Sequence, residues 1–237
     1  MQISKRLEAV ANMVTSGCCL ADIGTDHAYI PIYLAEAGKI VHAIAMDVNK
    51  GPLERAKDHI RTYGLEQLIE TRCSDGLAAL QKGEADQIVI AGMGGPLTVR
   101  ILRDGADKLT KECGLILQPQ SEISSVRSYL QENGYCIMEE ELILEDGKYY
   151  PMMKAVQKES LAVTEPEKMS DAELRYGPLL MKKRHPVLLE YVKREEELNN
   201  RILDSLNGQE SDTAKERRTM VEYELTLIRQ VLDLYDR

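Results

Sequence analysis

The stretch "LADIGTDHAYIP", Leu20 to Pro31, places Asp22, Asp26, His27 and Tyr29 within eight residues. An apolar run closes on Asp22 and Gly24, as a phosphate loop would. Thr25, Asp26, His27 and Ala28 then stand where such a loop sets its further glycines. Another acid, Asp47, ends the run "IVHAIAMDV" 25 residues after Asp22. That interval is close to the one at which a dinucleotide fold places the acid that holds ribose hydroxyls, because a carboxylate accepts two hydrogen bonds from a cis-diol. Asp75, in "RCSDGL", is suited to accept from an exocyclic adenine amine, so the three acids together read as an adenosine-binding set. "AGMGG", residues 91 to 95, leaves two readings open. Its glycines open a helix tightly ahead of Pro96, or they let a planar base approach backbone with no Cβ in the way.

These residues sit at the ends of strand-like runs at 18–24, 40–48, 68–75, 85–93 and 114–120, separated by segments of helical length. The alternation predicts a parallel sheet with helices on both faces, whose ligands bind beyond the carboxyl ends of the strands. At 135–157 two β-rich runs flank Glu145-Asp146-Gly147 with no room for a helix, which predicts an antiparallel hairpin at the end of the sheet. An α/β domain over residues 1–160 and a helical one over 161–237 are expected. In the latter, a charged amphipathic helix opens at Pro186, a turn follows with Ser211 or Asp212 as N-cap, and a second helix runs to the end. Val221, Leu225, Ile228, Leu232 and Tyr235 form a heptad seam, and Leu188, Tyr191, Leu198 and Ile202 face it, predicting a coiled-coil hairpin.

Composition narrows the function classes. A chain of 237 residues with 43% hydrophobic content can bury a full core and keep a small second module. The first residues carry no apolar run of signal or membrane length, so a cytoplasmic protein is expected. Five cysteines without a CxxC pair and four scattered histidines predict reduced core cysteines and no metal site. A net charge of −9 argues against coating nucleic acid through bulk positive charge. Lys182, Lys183 and Arg184, near the joint of the domains, and Arg217 and Arg218, at the start of the last helix, are local exceptions. Each cluster reads equally as a solvated helix face or as an RNA contact. No NPPY-type motif, Ser-His-Asp order or GxxxxGK[ST] loop is present, which removes support for amino-methyltransferases, hydrolases and P-loop NTPases.

Taken together, "DIGTDHAYIP", "AMDVN", "RCSDGL" and "IAGMGG", followed by a charged helical hairpin, resemble the bacterial tRNA (adenine(22)-N(1))-methyltransferase family. The resemblance implies a Rossmann-like class I methyltransferase sheet, S-adenosyl-L-methionine (SAM) as cofactor, a C-terminal coiled coil and N1 methylation of an adenosine in the D-arm region of tRNA. It assigns Asp22, Gly24, Asp47, Val48, Asp75 and Gly76 to the cofactor pocket and Gly92 and Met93 to the vicinity of the methyl group. Asp26, His27 and Tyr29 would line the passage to the target base, with Gly94 and Gly95 on the substrate side. Lys182, Lys183, Arg184, Arg217 and Arg218 would meet the tRNA backbone. Adenine N1 carries an in-plane lone pair, so the chemistry demands alignment and tolerance of a developing cation rather than a strong base. Asp26 answers the second need, or it caps the helix that begins near Tyr29. Other readings are a methyltransferase acting on another RNA or a small molecule, and a non-catalytic SAM-binding module with a protein partner. Monomer and homodimer both fit the apolar seam.

Overall fold

The computed structural model describes residues 1–161 and 168–236. They fall into two compact units, Met1–Glu167 and Lys168–Arg237. Part of the connector expected from residue 161, at 162–167, lies outside the described residues.

In the first unit, helix α1 (Lys5–Asn12) starts where the Ser4 hydroxyl accepts from Leu7 N at 3.3 Å, and Val10 and Ala11 bury its inner face. Strand β1 (Cys18–Ile23), helix α2 (Tyr29–Glu36), β2 (Ile40–Asp47), α3 (Lys50–Thr62) and β3 (Ile69–Cys73) follow. Then come β4 (Gln87–Met93), α4 (Gly95–Asp104), β5 (Gly114–Pro119), α5 (Ile123–Glu132), β6 (Tyr135–Glu145) and β7 (Lys148–Gln157). The strands form one seven-stranded sheet in the order β3-β2-β1-β4-β5-β7-β6. β1 to β5 run parallel, and β7 pairs antiparallel with both β5 and β6. This is the α/β class I methyltransferase fold, closed by the expected hairpin.

Alternation along the strands divides the core between two faces. Leu20, Ala43, Ala45, Val89 and Ile116 pack with Val10 of α1, Leu34 of α2 and Ile60 of α3. Their neighbours Ala21, Ile44, Ile88, Ile90 and Leu115 pack with Leu102 of α4 and Leu130 of α5 on the other face. Both faces being covered, the central strands read as continuous apolar runs and only their ends are free for polar residues. Outside the parallel core, Arg127 of α5 and Glu140 of β6 form a buried ion pair at 2.9 Å that ties the hairpin to its helix. Removing either partner would strand a buried charge, at a cost of about 3–5 kcal/mol.

One part of the expected alternation is corrected. Between β3 and β4 the chain makes turns and no helix. The Ser74 hydroxyl accepts from Ala79 N and donates to the Gly76 carbonyl, so side-chain bonding organises this crossover. Of the cysteines, expected in the core, Cys18 and Cys113 are buried, Cys19 and Cys136 are half-buried and Cys73 is exposed.

The second unit contains α6 (Asp171–Tyr176), α7 (Pro178–Lys182), α8 (Pro186–Ser205) and α9 (Asp212–Leu232). Ser170 and Glu173 form a capping box on α6, and Ser211 caps α9 by accepting from Ala214 N. α8 and α9 are antiparallel: Arg218 of α9 donates to the Leu206 carbonyl after α8, and Tyr235 donates to the carbonyl of His185 before it. On α9, Val221, Leu225 and Ile228 are buried as expected, Leu232 and Tyr235 of the expected seam are half-buried, and Leu227 and Val231 are buried as well. The α8 side departs from the seam read in the sequence. Leu198 is 50% exposed and Asn199 is buried in its place, its amide satisfied by donating to the Glu195 carbonyl one turn back.

Candidate active site

The loop after β1 is built from strained backbone pinned to β2. Gly24 N and Thr25 N both donate to the Met46 carbonyl, at 2.8 and 2.9 Å. Gly24, Asp26 and Ala28 all take positive φ, at +73°, +49° and +56°. For Asp26 and Ala28 this left-handed conformation is unfavourable, and the loop leaves Asp26 exposed and His27 half-buried. Asp22, beneath the loop, is buried and accepts from the Thr25 hydroxyl at 2.6 Å. Burial pushes its carboxyl up to about 6, with the Thr25 hydroxyl opposing and the charge of Asp47 adding to the rise.

The capping reading of Asp26 does not hold. The N-cap of α2 is Ala28, without a side-chain cap hydrogen bond. Asp26 is exposed and pairs instead with Arg55 of α3 through Oδ1 at 2.7 Å, with His27 Nε2 3.6 Å from its other oxygen. The His27 ring stacks on Tyr29 at 5.1 Å between centroids, and His59 lies 5.1 Å from His27 and 5.6 Å from Tyr29. The buried Nδ1 atoms of His27 and His59 have no hydrogen-bond partner among the described residues. Arg55 and His59 were missed in the sequence. They stand four residues apart on the helix that follows Asp47, which puts both on one face.

At the neighbouring strand ends, Asp47 Oδ1 accepts from Asn49 N at 2.8 Å and shapes the turn into α3. Val48 beside it is 56% exposed, an apolar side chain left on the surface just after β2. Asp75 is exposed and meets Arg100 of α4 at 3.2 Å, and Gly76 at φ +57° packs against Ile101.

The end of β4 completes the arrangement. A Cβ on Gly24 would fall 2.2 Å from Met93 Cε, so the Met93 side chain lies directly on the glycine and joins the β1 and β4 ends. Gly92 is exposed at φ +80°, and its N–H donates to Oε1 of the buried Gln118 at 3.1 Å. That same oxygen accepts from Arg6 of α1 at 2.9 Å, and the Arg6 guanidinium lies over the Tyr150 ring at 5.4 Å. Neither Arg6 nor Tyr150 is signalled by local sequence; only the tertiary fold brings α1 and β7 to this strand end. Gly94 caps α4 close to the Ser121 hydroxyl. At Gly95 the missing Cβ answers to packing, because it would lie 2.5 and 2.7 Å from the Ser121 and Glu122 carbonyls. Lys182, Lys183, Arg184 and Arg217 are exposed in the second unit, whereas Arg218 is partly buried and occupied with the Leu206 carbonyl.

Strand-end acids, bare backbone at Gly92 and a ring cluster beside a carboxylate are the parts expected from the sequence resemblance, and independent comparisons decide the family. The family model for tRNA (adenine(22)-N(1))-methyltransferase matches residues 20–230. The chain belongs to that family. The tRNA (adenine(22)-N(1))-methyltransferase of Bacillus subtilis (strain 168) is 36% identical over 235 residues, 98% of each chain. A Streptococcus pneumoniae putative tRNA (m1A22) methyltransferase, solved in complex with SAM, is 36% identical, with TM-score 0.85 over 98% of this chain and 100% of that one. A Mycoplasma capricolum relative solved with S-adenosyl-homocysteine is 25% identical, with TM-score 0.83 over 99% of each chain. As a tRNA (adenine(22)-N(1))-methyltransferase family member, the chain has no helix, among the described residues, long and apolar enough to cross a membrane. The same residues include no group of His, Cys, Asp or Glu that could hold a metal ion.

Proposed function

We propose that this chain methylates N1 of adenosine 22 in tRNA with SAM as methyl donor, at the carboxyl ends of β1, β2 and β4. The observation that carries this is the family match across residues 20–230, on a fold whose strand ends present the matching residues.

The residues fit SAM. Gly92 offers backbone without a Cβ, Met93 covers Gly24, and Asp47 has a carboxylate oxygen with no partner among the described residues beside exposed Val48. Asp47 would accept from the ribose hydroxyls, Val48 would pack on the adenine ring, and Asp75 would accept from its amine. When bound, SAM supplies an electrophilic methyl carbon on a sulfonium. Asp22 and Thr25 hold the loop that carries the Gly24 backbone, and Met93 bounds the space between the two strand ends.

The target N1 lies on the Watson–Crick edge, so its base is presented unpaired or extruded. His27, Tyr29 and His59 offer ring surfaces to receive it, in a chain without Phe or Trp. Asp26, an exposed carboxylate next to these rings, offsets the positive charge that N1 acquires. No group is required to remove a proton from N1. In the second unit, Lys182, Lys183 and Arg184 lie just before α8 and Arg217 near the start of α9. Those are opposite ends of a hairpin roughly 30 Å long at 1.5 Å per residue, a spacing suited to separate contacts on an RNA backbone.

The test is incubation with methyl-labelled SAM and, separately, total tRNA, ribosomal RNA and buffer, followed by nucleoside analysis. Label in 1-methyladenosine from the tRNA sample alone supports the reading. Label in another nucleoside, or none, overturns it.

A further inference from the structure

We propose that Arg6 is a positioning residue that receives a backbone phosphate beside the target adenosine, an inference that rests on the tRNA-methylation reading above and deepens it. Arg6 is fixed on two sides. Its Nη1 donates to Gln118 Oε1 at 2.9 Å, and its guanidinium carbon lies 5.4 Å from the Tyr150 ring centroid. The Gln118 oxygen also accepts from Gly92 N, so the cation is registered against the backbone of the β4 end. Nη1 lies 3.7 Å from where a Gly92 Cβ would stand, and the glycine keeps that side open.

What Arg6 lacks is a counter-ion. Arg55 faces Asp26 and Arg100 faces Asp75, but Nε and Nη2 of Arg6 have no hydrogen-bond or ion-pair partner among the described residues. The side chain is partly buried, so it has lost hydration that the Tyr150 face only partly replaces. In a chain of net charge −9, a held and unneutralised guanidinium at a strand end is a site for an anion. Its planar fork matches phosphate oxygens, and RNA brings a phosphate with every nucleotide. The adenine itself is the wrong partner, because a guanidinium bonded to the base would oppose the positive charge that methylation places there. The cofactor carboxylate is the competing anion, and the experiment separates the two.

Full-chain wild type, Arg6→Gln and Arg6→Lys are compared for tRNA affinity across a salt series, for SAM affinity, for thermal melting and for 1-methyladenosine formation. Loss of one phosphate contact lowers the slope of log affinity against log salt by about 0.7–0.9. Arg6→Gln is expected to show that loss with about tenfold weaker tRNA binding at low salt, unchanged SAM affinity and unchanged melting. Arg6→Lys keeps the charge and is expected to keep the slope. A wild-type slope in Arg6→Gln overturns the proposal, as does SAM affinity falling while tRNA affinity stays, which would give the cation to the cofactor carboxylate. Should Arg6→Gln fail to fold, Arg6→Met keeps the stem packed on Tyr150 and carries the same prediction. Wild type that forms no 1-methyladenosine overturns the underlying reading, whereas methylation by wild type with an unaltered slope in the variant sinks only the role of Arg6.

Discussion

At the β1–β2 corner of the site the carboxylates outnumber the cations: Asp22 is buried against Thr25, Asp47 is bonded to Asn49 N, and Asp26 shares Arg55. At the β4–β5 corner Arg6 is held by a neutral amide and a ring, with no ion-pair partner among the described residues. The first corner suits groups that are or become positive, a sulfonium and then a methylated adenine. The second suits an anion, and the phosphates flanking the target base supply one. A single crevice can thus hold a nucleotide by its backbone at one side and stabilise charge on its base at the other, without requiring a general base.

The substitution that bears hardest on this contrast is Asp26→Ala. If Asp26 has the charge-offsetting role proposed for it, its removal should lower kcat about 100-fold, near 2.7 kcal/mol of barrier, with SAM affinity retained. Full activity in single-turnover assays would break the electrostatic account of the β1–β2 corner.

Asp22 gives the next effect. Its folded value, about 6, lies above the ordinary carboxyl value of 3.8, so protonation favours the folded state. That stabilisation is complete below the unfolded value and lost as pH rises through the folded one. Asp22→Asn, which can still accept from Thr25, should melt close to wild type at pH 4. It should become more stable by up to about 3 kcal/mol above pH 7. Melting curves without cofactor check this, and a pH-independent difference would mean that folding leaves the Asp22 carboxyl at its ordinary value.

Arg6→Gln should cost about tenfold in tRNA binding, or 1.4 kcal/mol, and leaves the β1–β2 corner untouched. Arg55→Ala should have the smallest effect. The pair it forms with Asp26 is exposed on both sides, so stability should change by less than about 1 kcal/mol. kcat should fall only about threefold as Asp26 loses its anchor. If Arg55→Ala matches Asp26→Ala in kcat, the pair rather than the carboxylate is the active unit.

Much of this molecule was legible before any coordinates. Unbroken apolar runs ending in Asp22, Asp47 and Gly92 marked buried parallel strands, because residues covered on both faces leave polarity only at the ends. The helix-free crossover between β3 and β4 was not legible, since Ser74 and its backbone bonds do there what a periodic pattern does elsewhere. Helical spacing placed Leu198 in the seam, but a self-satisfied Asn199 could be buried instead, and periodicity does not register that bonding. In the site, Asp26 left two roles open that only the φ of Ala28 and the contact with Arg55 could separate. Arg6 and Tyr150 lie 144 residues apart and meet through the packing of α1 on the sheet, so no local signal carries them.

The central claim is tested most directly with two tRNA transcripts that differ only at nucleotide 22, adenosine in one and guanosine in the other, each incubated with methyl-labelled SAM and the full chain. The account predicts label recovered as 1-methyladenosine from the first transcript and none from the second. Equal labelling of both, or label in a nucleoside other than 1-methyladenosine, would contradict it.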